Sequence, residues 1–212
     1  ALKRLGSSLH SPLRINKKST NWCDKPKYFW DSRKCEIKPG NIILSPCKFP
    51  SGHRVSSKPG PFGSLIEGGS VGQAFLREIL EFMALMGSHL ALVSPDLFKH
   101  QLRLLKAMIN ALANKFTRPN VMKELLCLWP SPFSRVAVIS NRETILHRDM
   151  QGGQNLCDIL STVGQYEDGR FEVSLLGLQS VYNLGCMIAL LGFALQHGAA
   201  KVNGERVSFA GF

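Results

Sequence analysis

The chain has 212 residues, 44% of them hydrophobic, and carries 26 Lys and Arg against 15 Asp and Glu, for a formal net charge of +11. That length holds one sizeable domain with a real core, or one domain with an arm, and argues against two full domains. The longest apolar run, Cys186 to Leu195 (CMIALLGFAL), is about half the roughly 20 residues that a membrane-spanning helix needs, so the chain reads as soluble.

The chain opens at Ala1 without a methionine or an apolar leader and reads as a stretch of a longer protein. Residues 1–60 hold 13 Lys and Arg against Asp24, Asp31 and Glu36, whereas residues 61–212 hold 13 against 12. The charge excess therefore belongs to the N-terminal segment. Trp22, Tyr28, Phe29 and Trp30 are interleaved with its cations, a pattern that suits phosphate attraction with base stacking and equally suits a solvated extension packing a few aromatics on a core. The segment ends in SSKPGPFG, which continues neither helix nor strand. The expected organisation is thus a basic arm at 1–60 and one domain at 61–212. Six cysteines lie without tight pairs, in keeping with a reducing compartment; Cys23, Cys35, Cys47 and His53 are of ligand type but lack the close pair typical of zinc sites.

Beyond the boundary, Phe75, Ile79, Phe82 and Met86 recur at three- and four-residue intervals and predict a helix over 71–87. A second helix is predicted from Asp96 to about Asn114, with Ser94 as cap, Pro95 at its first position and Leu97, Leu104, Leu105, Met108 and Leu112 on its apolar side. His89 and His100 on these helices read as surface or satisfied core residues. After Pro132 the texture changes to eight short β-type runs: 136–140, 143–147, 156–162, 171–175, 178–182, 186–191, 195–198 and 206–212. Turns are expected at 167–169, 183–185 and 202–204. Helices followed by eight short strands predict an α+β fold, a jelly roll (double-stranded β-helix) buttressed by N-terminal helices.

Within those strands His147 and Asp149 stand two apart, so that on a strand both would face the same way. With His197 from a distant strand they would form a two-His-one-carboxylate set, which leaves positions open on a metal ion. Arg206, opening a strand antiparallel to that of His197 after the Asn203–Gly204 turn, would aim a guanidinium into the same cavity, where its planar fork suits a carboxylate. The same residues also suit a polar turn after a strand and a surface ion pair.

The blocks WPSPFSRVAVISNRETILHRDMQGG (129–153), LCDILSTVGQYEDGRFEV (156–173) and YNLGCMIALLGFALQHGAAKVNGERVSFAGF (182–212) resemble the fungal branch of the TET/JBP family of nucleic-acid-modifying dioxygenases. The resemblance is best over 125–212, plausible from 71 and loose over the arm. It implies Fe(II) and 2-oxoglutarate as cofactors, His147, Asp149 and His197 as catalytic iron ligands, and Arg206 as the 2-oxoglutarate anchor. It further implies oxidation of a methylated base in double-stranded DNA in the nucleus: 5-methylcytosine to 5-hydroxymethylcytosine and beyond, or, on the same centre, demethylation of 6-methyladenine. The target base would be flipped out of the duplex. Phosphate contacts are expected from Lys17, Lys18, Lys25, Lys27, Arg33 and Lys34. Asn141, Arg142, Tyr182 and Asn183 are candidates near the pocket mouth, with strand-end or turn roles as the alternative. Gln196 stands where a basic residue is expected, which puts one contact to co-substrate or DNA in doubt and leaves open a catalytically inactive, basic DNA-binding module. An oxygenase of the same fold acting on protein or a small molecule is a third reading.

Overall fold

The computed structural model describes residues 13, 15, 16, 18, 20–47, 58–61, 65, 69–111, 115–150 and 153–212. His53, Leu112 and Lys17 lie outside that set. Two compact units result, one of residues 43–136 and one of residues up to 42 together with 137–212.

The first unit is helical. Among the described residues it contains α1 (Gly69–Glu78), α2 (Leu80–Val93), α3 (Pro95–Asn110) and α4 (Pro119–Leu128). The helix expected over 71–87 is two, meeting at Ile79, and it runs further, to Val93. Its buried stripe is Phe75, Ile79, Met83, Met86 and Leu90, a four- and three-residue spacing that keeps one face inward. Gly87 on that face admits Pro132: a Cβ there would meet the proline ring at 2.6 Å. Pro95 opens α3 as expected, since its missing N–H costs nothing at the first position, but Ser94 makes no side-chain cap bond. Of the apolar side read for α3, Leu105 is buried and Leu104 is exposed. Helix α4 was not anticipated, although Pro119 at its first turn and Met122, Leu125 and Leu126 on its buried face carry the same signals.

The second unit holds the strands. They are β1 (Gly40–Leu44), β2 (Val136–Ser140), β3 (Thr144–His147), β4 (Asp158–Glu167), β5 (Arg170–Val173), β6 (Leu178–Val181), β7 (Met187–Leu190), β8 (His197–Ala199) and β9 (Asn203–Gly211). The five-stranded sheet has the order β1-β2-β9-β4-β7 and the four-stranded sheet the order β3-β8-β5-β6. The fold class is α+β with jelly-roll-type paired sheets. Phe171 and Val173 of β5 and Ala199 of β8 pack with Tyr182 and with Leu190 of β7, joined by Leu160 of β4, so this core lies between the two sheets.

Strand β9 corrects one expectation. It starts at Asn203 and pairs with β4, whereas β8 pairs with β3 and β5 in the other sheet. The chain reverses before Asn203; Gly204 lies inside the strand at φ +111°, where a Cβ would meet Gln165 O. A glycine chosen for backbone freedom in a strand has the same letter code as one chosen for a turn.

Part of the basic N-terminal segment is built into this unit. Phe29 bridges Arg142, Trp30 N donates to Asn141 O at 2.9 Å and Glu143 N donates to Tyr28 O at 2.9 Å. No helix among the described residues is long and apolar enough to cross a membrane.

Candidate metal centre

His147 ends β3, directly opposite His197, the first residue of β8. The register between these strands shifts by one between Thr144 and His147, and that irregularity is what puts the two histidines across from each other; a constant register would place Leu146 there. Gly198 makes room for it, since a Cβ would meet Thr144 O at 2.8 Å and Leu146 N at 3.1 Å. Asp149 lies beyond the end of β3, so the two-residue spacing works through a loop and not through strand alternation. Its backbone N–H donates to Gly192 O at 2.9 Å, which carries the carboxylate to the histidines.

Asp149 Oδ1 lies 3.4 Å from His147 Nε2 and Asp149 Oδ2 lies 3.5 Å from His197 Nε2. The ligand atoms of the three residues all fall within 4.8 Å of one another. Each Nδ1 faces a backbone carbonyl: that of His147 faces Ile145 O at 2.9 Å and His197 O at 3.1 Å, and that of His197 faces Leu195 O at 2.9 Å. A carbonyl only accepts, so Nδ1 carries the proton and Nε2 presents its lone pair inward, the arrangement metal-binding histidines use. Burial holds the His197 imidazole below its ordinary pKa, with His147 adding to that effect, which keeps it neutral at pH 7. Burial raises the Asp149 carboxyl, but the neighbouring His147, His197 and Arg142 outweigh it, and the net value is below the ordinary one. Two imidazole nitrogens and one carboxylate oxygen fit a divalent first-row metal.

A second carboxylate, not anticipated, stands behind the first. Asp158 is buried at the start of β4; burial and the Asp149 charge push its pKa up to about 7 against a stabilising bond from the Gly192 backbone. Gly192 fits between the two acids, for a Cβ there would meet Asp158 Oδ2 at 2.3 Å and Asp149 Oδ2 at 2.7 Å. The only hint in the sequence was a lone acid inside the apolar run LCDIL.

Arg206 is 1% exposed. Nη1 donates to Ala200 O and Nη2 to Arg142 O, both at 2.9 Å, and its guanidinium lies 6.0 Å from the Trp30 ring. Burial lowers its pKa, offset by nearby Tyr182, Tyr166 and Glu143. No acidic side chain lies within ion-pair distance of it among the described residues.

The remaining expected contacts divide by burial. Lys18, Lys25, Lys27, Arg33 and Lys34 are exposed, with Arg33 held by Asp31 through Nε to Oδ1 at 3.0 Å and Nη2 to Oδ2 at 2.8 Å. Asn141 and Arg142 are not surface groups. Asn141 is 0% exposed; its Nδ2 donates to Ile37 O at 2.8 Å and its Oδ1 accepts from Arg206 N at 2.9 Å. Arg142 is buried, donates through Nη1 to Cys23 O at 2.9 Å, and burial takes its pKa down to about 10. Both side chains were drawn inward by backbone carbonyls that a sequence does not display. Tyr182 also lies in the core, 5.4 Å from the Phe171 ring, while Asn183 is exposed and accepts from Gly169 N. Gln196 accepts from the Ser174 hydroxyl at 3.0 Å.

The profile of the Tet_JBP family, the oxygenase domain of the 2OGFeDO superfamily, matches residues 45–212. The chain belongs to the Tet_JBP family. Oxygenases of this superfamily use Fe(II) and 2-oxoglutarate, and the His147, Asp149 and His197 set of this Tet_JBP domain could bind the iron. Among solved structures the domain is similar to NgTET1 in complex with 5mC DNA, with a TM-score of 0.53 and 15% identity over 81% of this chain, a likeness of fold. The chain spans 60% of the length of that NgTET1 chain. No curated protein matches.

Proposed function

We propose that this chain oxidises a methylated base in double-stranded DNA, 5-methylcytosine first among candidates, with His147, Asp149 and His197 holding Fe(II) and Arg206 holding 2-oxoglutarate. The observation that carries the reading is the convergence of two Nε2 atoms and one carboxylate from β3, the loop after it and β8 in a domain of this family. When bound, Fe(II) and 2-oxoglutarate would supply the oxidising chemistry with dioxygen as the oxidant: one oxygen atom ends in succinate as the co-substrate loses CO2, and the other ends as the hydroxyl on the substrate carbon.

The chain's own residues do the rest. The two Nδ1–H bonds to carbonyls aim the imidazoles. The fully buried Arg206 fork keeps further N–H donors beyond the two it gives to carbonyls, and a dicarboxylate would provide the counter-charge it lacks. His197, whose side chain is 4% exposed, lies too deep to meet a methyl group inside a duplex, so the base must leave the stack. The similarity to a protein solved with 5mC DNA and the exposed Lys18, Lys25, Lys27 and Lys34 support DNA as the substrate. A DNA substrate carries with it a nuclear site of action.

The test is nucleoside mass spectrometry after incubating the protein with Fe(II), 2-oxoglutarate and duplexes carrying 5-methylcytosine or 6-methyladenine, with succinate measured in parallel. Oxidised cytosine is expected, falling at least about 100-fold in folded His147→Ala and Asp149→Ala variants. Loss of methyl from adenine alone would move the assignment to demethylation. Salt-sensitive DNA binding with no product from either duplex would leave only a binding module.

A further inference from the structure

Trp22 lies in the basic segment ahead of residue 45, where the family match begins, yet its indole meets a histidine of the metal centre. The Trp22 and His147 ring centroids are 4.8 Å apart at 59°. The same His147 ring is 4.4 Å from His197, which stacks at 5.8 Å on Phe171. Trp22, His147, His197 and Phe171 thus touch in succession, with Trp22 in turn meeting Tyr28 at 6.1 Å and Phe171 meeting Tyr182 at 5.4 Å.

The turn carrying the indole is tied down. Cys23 O accepts from Asn41 Nδ2 at 3.2 Å and from Arg142 Nη1 at 2.9 Å, Asp24 Oδ1 accepts from Asn41 Nδ2 at 3.0 Å, and Lys25 N closes on Trp22 O at 2.9 Å. The Arg142 guanidinium stands 5.0 Å from the indole, a cation against an aromatic face. A hydrogen bond from Nδ1 fixes one point of the His147 ring and leaves it free to tilt about that bond. Packing on the ring sets the tilt. His197 supplies one such contact and Trp22 another.

We propose that Trp22 is a positioning residue for His147: the indole packs on the imidazole, holds Nε2 at the ligand position, and so makes a turn outside the matched family domain part of the metal centre. This rests on the reading of the triad as an iron site.

The probe is Co(II), whose visible absorption reports ligand geometry, titrated into the full chain. The wild type should bind one equivalent. Trp22→Ala should bind about tenfold more weakly with a shifted absorption band, the scale expected when a group that orients a ligand is lost, and Trp22→Phe should restore affinity to within about threefold. Folded Trp22→Ala with wild-type affinity and band, or folded Trp22→Phe no better than alanine, overturns the proposal. Should alanine prevent folding, the wild-type chain labelled with 5-fluorotryptophan decides. Its Trp22 fluorine resonance, assigned through Trp22→Phe, should shift or broaden on Co(II) binding, and an unmoved resonance overturns the proposal. A wild type that binds no Co(II) removes the iron reading along with this one, whereas wild-type binding that is indifferent to Trp22 removes this one alone.

Discussion

Replacing Gly192 with alanine tests the metal centre without touching a ligand. Its φ lies outside the left-handed range, so the backbone accepts alanine without strain. The added Cβ would sit 2.3 Å from Asp158 Oδ2 and 2.7 Å from Asp149 Oδ2, so ordinary contact at 3.4 Å requires those oxygens to retreat by about 1.1 and 0.7 Å. Both are ends of side chains, which makes the shift cheap for folding. It is large for coordination, where ligand distances hold within about 0.2 Å. Gly192 O also accepts the Asp149 N–H, so displacement of the loop would move the Asp149 backbone too. Affinity for Co(II) or Fe(II) should fall by about 10- to 100-fold, roughly 1.4–2.8 kcal/mol, with an unchanged far-UV spectrum. Calorimetric titration of wild type and variant reads this directly. A folded Gly192→Ala chain that binds within twofold of wild type would refute the placement of Asp149 in the site.

Three further outcomes follow from the same geometry. Arg206→Lys keeps a charge but loses the fork, so the KM for 2-oxoglutarate should rise at least about tenfold with kcat less affected, as steady-state succinate release would show; an unchanged KM removes Arg206 as the anchor. Asn141→Ala breaks its bonds to Ile37 O and Arg206 N and leaves a residue other than asparagine at φ 48°, which should cost about 3 kcal/mol in urea denaturation, and a loss below about 1 kcal/mol contradicts its role as an internal pin. In the chelated protein Asp158, with a folded pKa of about 7 against an unfolded value near 3.9, holds a proton that the unfolded chain has released, so its contribution falls as pH rises between those values. Wild type should lose roughly 2 kcal/mol more than Asp158→Asn between pH 5 and 7.5, and parallel curves would disprove the shift.

His147, Asp149 and His197 were singled out by residue type and order together with the family resemblance, since their spacing alone suited a polar turn as well; their ligand atoms lie within 4.8 Å of one another. The path by which they meet was not legible. Nothing in the letters says that a register shift faces His147 to His197, or that Asp149 reaches the site by bonding Gly192, 43 residues further along the chain. Strand Val136–Ser140 was read to the residue because its short apolar run is bounded by a polar turn; β4 was read short because Gln165, Tyr166 and Glu167 extend it by pairing with Glu205, Gly204 and Asn203. Asn141 and Arg142, read as pocket-mouth candidates or as strand-end residues, are buried, because backbone carbonyls claim their donors and no sequence displays those.

The placement of β9 has a consequence for biosynthesis. It sits at the middle of the five-stranded sheet, between β2 and β4, although it is ninth in chain order. While a ribosome is still making residues 203–211, β2 and β4 each present an unsatisfied edge, and the sheet exists only as separate halves. Closure must therefore wait until that stretch has emerged, so the nascent chain carries two aggregation-prone edges from the time β2 and β4 are made until β9 pairs with both.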